Sequence, residues 1–171
     1  MPAGVDLSGN WIIRSTDPEA QRRLREAIRK TDGIPDDELF RLPTQQSSQS
    51  RSSHNRRVRG GLVYVFLETG SALKITQTPY GLFIAFDRAV VEEFRFGENR
   101  IVNVGEVEAQ RVTGWEGSQL VVETLDRNSM KLTERFQLSH DGMVLERTIN
   151  LRSKGGEQET IVQTFDRAAD K

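Results

Sequence analysis

Along residues 109–151 apolar and polar positions alternate with period two, and short polar runs break the alternation at regular intervals. That pattern predicts four successive antiparallel strands, each with one buried and one wet face. Met130, Leu132, Phe136 and Leu138 share one face of a strand, with Lys131, Thr133, Arg135 and Gln137 on the other. Met143, Leu145, Ile149 and Leu151 repeat the stripe on the next strand. Each stripe holds one charged intruder, Glu134 in the first and Arg147 in the second.

The two intruders are expected to meet. A four-residue loop at 139–142 sets Glu134 opposite Arg147, whereas a two-residue Asp141-Gly142 turn sets Arg147 opposite Phe136, one diagonal step from Glu134. Sliding the strands by a single residue would mix the faces, which is disfavoured where one face is buried. Both connections therefore predict an inward-facing Glu134–Arg147 ion pair.

The rest of the pattern extends this sheet. Residues 6–14 contain Trp11-Ile12-Ile13, a first strand, and residues 157–165 form a last one. Between them, 73–78 and 82–87 flank the turn Pro79-Tyr80-Gly81, 90–96 and 101–104 flank 97–100, and 107–115 leads into the central stretch. About nine strands follow one another with short links, the sign of a mainly β, antiparallel up-and-down meander or barrel. One amphipathic helix interrupts it over 17–31: Thr16-Asp17-Pro18-Glu19 fits a capping box, and Ala20, Leu24, Ala27 and Ile28 recur at helical spacing. Residues 44–61 hold one aliphatic side chain among Ser, Gln, Arg and Gly, and read as a flexible basic loop. Periodicity does not separate strand from helix in the apolar run 62–67. The expected organisation is one domain over 1–171, with helix and loop inserted after the first strand.

Composition narrows the function. At 171 residues with 36% hydrophobic content the chain is long enough to bury a core, and its net charge of −1 gives no field for nucleic acid. Residues 1–61 carry +3 and residues 62–171 carry −4, so the basic charge gathers on the helix and loop. With no cysteine, disulfides, zinc ribbons and thiol nucleophiles are all excluded. His54 and His140 have no ligand or acid–base partner at a recognisable spacing, and no phosphate loop, dinucleotide fingerprint or nucleophile elbow occurs. No catalytic residue, metal or cofactor is expected, and no apolar run spans a bilayer.

Trp115-Glu116-Gly117, Leu120-Val121-Val122-Glu123-Thr124 and Leu132-Thr133-Glu134-Arg135-Phe136 together resemble the W-x-G-x-x-L-V-V-E-T…T-E-R-F pattern of small, uncharacterised bacterial proteins that are usually exported. That resemblance implies a periplasmic or envelope location if a leader was trimmed, and a cytoplasmic one otherwise. Gly9-Asn10-Trp11 resembles the G-x-W of lipocalins and related calycin barrels, a likeness that implies an arginine packed on the tryptophan, here Arg167 on Trp11. In fatty-acid-binding relatives of the calycins an interior arginine takes the ligand's carboxylate. By that resemblance Arg147, beside Glu134, would bind a small hydrophobic or acidic amphiphile wrapped by Met130, Leu132, Phe136, Met143 and Ile149. A non-enzymatic binding protein is the leading expectation. The alternative is an interaction or assembly protein of the envelope whose basic helix and loop meet an acidic protein or anionic lipid.

Overall fold

The structure is a computed structural model and describes residues 2, 4–16, 18, 19, 22, 23, 26, 63, 66–68, 70–104, 107–152, 155, 156 and 158–169. Ten strands run through them: β1 Gly9–Thr16, β2 Ala72–Thr78, β3 Gly81–Phe86, β4 Val90–Arg95 and β5 Asn99–Val104, then β6 Val107–Glu116, β7 Gln119–Asp126, β8 Lys131–Leu138, β9 Val144–Arg152 and β10 Gln158–Arg167. They form one antiparallel sheet in the order β4-β3-β2-β1-β10-β9-β8-β7-β6-β5. Nearly every neighbour in space is a neighbour in sequence. The exception is β1 against β10, where Trp11 lies opposite Arg167 and the two ends of the meander join. The sheet's edges are β4 and β5, which follow each other in the chain without pairing. A single parallel bridge between Phe96 and Thr113 draws the β4 end towards β6, so the sheet curls into a half-barrel.

Turn chemistry fixes the hairpins that bring the edges together. At the β3–β4 turn Asp87 and Arg88 both have positive φ, as a tight turn of this hand requires. The Asp87 carboxylate accepts from the Ser71 and Ala72 amides at 2.9 and 2.8 Å, which ties that turn to the start of β2. Gly81 lets β3 and β4 approach: a Cβ there would lie 2.2 Å from the Phe94 carbonyl oxygen, too close for any other residue without backbone movement.

Alternating side chains of the curled sheet fill two apolar clusters. One gathers Leu7, Trp11, Leu73, Ile75, Leu82, Ile84, Phe86, Phe94, Leu120, Val122, Phe136, Leu145 and Phe165. The other gathers Val63, Phe66, Val107, Ala109, Met130, Leu132, Ile149, Leu151 and Ile161. The pattern's inward stripes on β8 and β9 are therefore buried apart from the half-buried Leu138, Thr133 from the expected wet face is buried as well, and one position needs correction. Met143 is 51% exposed, because it belongs to the loop before β9 and escapes the strand's alternation. The register also chooses between the two connections. Phe136 lies opposite Arg147 and Leu138 opposite Leu145, so the loop spans 140–143 and Glu134 is diagonal to Arg147, not across from it. Ser139 and Val144 close that loop, with the Ser139 amide donating to the Val144 carbonyl at 2.8 Å. The expected helix over 17–31 lies largely outside the described residues, as does the whole of the loop 44–61.

Candidate functional site

Five adjacent strands carry a polar residue where the two apolar clusters meet. On β10 it is Gln163 between Ile161 and Phe165, on β9 Arg147 between Ile149 and Leu145, and on β8 Glu134 between Leu132 and Phe136. On β7 it is Thr124, and on β6 Arg111 and Thr113 between Ala109 and Trp115. The inward period-two stripes thus build a polar belt across the curl. Glu92 on β4 completes it from the far edge.

Arg147 is fully buried and held on every side. Its Nε donates to Glu134 Oε1 at 2.9 Å, its Nη1 to Gln163 Oε1 at 3.2 Å and its Nη2 to the Glu68 carbonyl at 2.8 Å. Nη2 also contacts Glu134 Oε1, closing a two-pronged ion pair. The rings of Phe86 and Phe136 lie 5.2 and 5.6 Å from the guanidinium, within cation–π range. Ladder pairing explains the arrangement, since Phe136, Arg147 and Gln163 stand in one row across β8, β9 and β10.

Arg111 is the second buried guanidinium, 6% exposed. Its Nη1 donates to Glu92 Oε2 at 2.5 Å and its Nε to the Thr124 hydroxyl at 3.3 Å, while the Phe94 and Phe66 rings lie 5.1 and 5.7 Å away. Its Nη2 is buried with no hydrogen-bond partner. Glu68 sits near both arginines at the end of the segment preceding β2. Burial, followed by the like charge of Glu92, raises its carboxyl above the ordinary value. Asp126, two positions beyond Thr124 on the same face of β7, turns its Oδ1 to the Asn128 and Met130 amides and leaves Oδ2 buried without a partner.

Away from the belt, Arg167 lies over Trp11 at 4.3 Å from the ring centroid. Its Nη1 donates to the Ser8 carbonyl and its Nε to the Gly142 carbonyl, both at 2.7 Å, and the Trp11 indole N–H donates to the Leu7 carbonyl at 3.0 Å. These bonds join β1, β10 and the 140–143 loop, a structural use of both residues.

Of the residues expected at a ligand site, the structure brings Glu134 and Arg147 into contact and places Phe136 beside them. Met130, Leu132 and Ile149 line the neighbouring apolar cluster, and Met143 is outside. Pattern reading did not single out Arg111, Gln163 or Glu68. The first two had a signal, as polar intruders in the stripes 107–115 and 161–165. Glu68 had none. His140 is exposed in its turn, and no cluster of metal-ligating side chains occurs among the described residues. No described helix is long and apolar enough to cross a membrane.

No protein-family model matches the chain, and no curated protein matches it. Solved structures do. Secretory abundant heat soluble protein 4 from Ramazzottius varieornatus is 16% identical over 99% of each chain, with a TM-score of 0.56. Lipid binding protein 8 from Caenorhabditis elegans is 11% identical over 98% of this chain and 99% of its own, also at 0.56. A variant of the REP1-NXSQ fatty acid transporter is 11% identical over 95% and 98% of the two chains, at 0.52. At such identities the likeness establishes the fold, a lipocalin-like curled antiparallel sheet.

Proposed function

We propose that the chain is a non-enzymatic binding protein that holds a small apolar or amphiphilic molecule inside the curl of the sheet. The observation that carries this reading is the polar belt. Two buried guanidiniums stand between two apolar clusters. A core built for stability alone is often as stable, or more so, with well-packed apolar residues in place of a buried ion pair. A mostly apolar interior with a few placed polar groups is, by contrast, what a small-molecule site requires. Two of the structures with this fold are a lipid binding protein and a fatty acid transporter, which supports the same reading. Met130, Leu132 and Ile149 would flank the apolar body, with Arg147 and Glu134 shaping the belt beneath it.

Native mass spectrometry of the protein purified from a bacterial host, followed by organic extraction, tests this. A stoichiometric small-molecule adduct, or uptake of an added lipid, is expected. A bare mass with no uptake of fatty acids, their esters or their alcohols would leave the belt as core architecture and overturn the proposal.

A further inference from the structure

We infer that the polar group accepted by this site is an uncharged oxygen, that of an ester, ketone or alcohol, and that Arg111 is the residue that receives it. The inference rests on the binding reading above and specifies its ligand class. Arg147 has little left for a ligand head group, because Glu134, Gln163 and the Glu68 carbonyl take four of its five N–H groups and aromatic rings lie close by. Arg111 differs. Two of its nitrogens are engaged, and the third is buried and without an acceptor. An unmet buried N–H is costly, so an acceptor placed there by a ligand gains more than one placed at a satisfied group.

Charge then decides what kind of acceptor fits. Each buried guanidinium already has its own carboxylate, Glu92 on Arg111 and Glu134 on Arg147. Glu68 adds a third carboxyl close to both, and the unpartnered Asp126 oxygen faces the same interior. Among the described residues the belt therefore holds no positive charge left to neutralise. A ligand carboxylate would bury a further negative charge without a counter-ion, whereas a carbonyl or hydroxyl oxygen would take the spare N–H with no such penalty.

Displacement of Nile red from the full chain at pH 8 by oleic acid, methyl oleate and oleyl alcohol tests the assignment. The ester and the alcohol are expected to bind at least about tenfold more tightly than the acid, the ratio that one well-placed hydrogen bond or uncompensated charge supplies. Glu92→Gln removes the carboxylate that pairs with Arg111, and the acid should then gain about tenfold relative to the ester and close the gap between them. A wild-type preference for the acid, or an ester-to-acid ratio unchanged in Glu92→Gln, overturns the inference and leaves the binding reading standing. If Glu92→Gln does not fold, the doubly apolar Arg111→Met/Glu92→Leu keeps the volume filled. Its affinity for the ester should fall about tenfold while that for hexadecane is unchanged, and an undiminished ester affinity overturns the assignment. Displacement by none of the probes from the wild type removes the binding reading, and this inference with it.

Discussion

Arg111 on β6 holds Glu92 on β4 at 2.5 Å across the seam where the edges of the sheet have no continuous ladder. Beside them Arg100 on β5 reaches Glu93 on β4 at 3.4 Å. The curl is drawn shut by side-chain charge where backbone pairing stops. The two contacts differ in kind, because the Arg111 pair is largely buried and the Arg100 pair is only part-buried and more open to salt.

Breaking the Glu134–Arg147 pair from one side should be far more damaging than removing both members. Arg147→Met strands a buried carboxylate and is expected to cost about 3–5 kcal/mol, as is Glu134→Leu, which strands the guanidinium. The double variant should cost clearly less than the sum of the two. Urea unfolding of the four proteins measures the coupling, and strict additivity would mean that the pair is not the energetic unit.

Glu68 makes stability depend on pH in the direction opposite to an ion-paired acid. Its folded value lies above the ordinary 4.5, so the folded state holds the proton more tightly than the unfolded state. Stability from this group is full below 4.5 and is lost as pH rises through the raised folded value. Glu68→Gln should therefore raise the melting midpoint at pH 7 and change it little at pH 4. A midpoint lowered at pH 7 would contradict the assignment.

Asp141 has the reverse sign. Hydrogen bonds from the Ser139 hydroxyl and the Met143 amide lower its carboxyl below the ordinary 3.8. The stabilisation is present above 3.8 and disappears as pH falls through the lowered value. Asp141→Ala should melt below the wild type at pH 7, and the two curves should converge in strong acid. Equal midpoints at pH 7 would show that the loop does not depend on this carboxylate.

Gly9 makes room for the arginine on the tryptophan. It has a φ of +146°, and a Cβ there would lie 2.6 Å from Arg167 Nη1. Gly9→Ala should destabilise the protein by about 1–3 kcal/mol through backbone strain and displacement of Arg167. Trp11 fluorescence, read in a Trp115→Phe background, should shift as the guanidinium leaves the ring. An unshifted spectrum would mean that Arg167 accommodates the methyl group in place.

The strands were legible because period two is a local signal: Leu132, Phe136, Leu145 and Ile149 point inward as their spacing requires. The Glu134–Arg147 contact was legible for the same reason, since both candidate connections kept the faces in phase. Spacing alone did not choose between those connections, and it carried the β9 stripe one step too far, onto Met143, which lies in the loop before the strand. The other half of the belt depends on distant partners. Arg111 and Glu92 are 19 positions apart and meet only across the curl, and Glu68 contributes through a backbone carbonyl from outside any strand. Alternation turns Glu92 inward and Glu93 outward, but which cation each of them meets across the seam is a property of the closed sheet.

The pairing of β1 with β10 also bears on how the protein is made. Ser8 and Arg167, joined by a hydrogen bond, are 159 positions apart. On the ribosome the first strand emerges long before its second neighbour exists, and until then Trp11 and its flank offer an unpaired edge. Contacts of such long range slow folding, so this strand is where nascent chains would be most open to chaperones, or to pairing with one another.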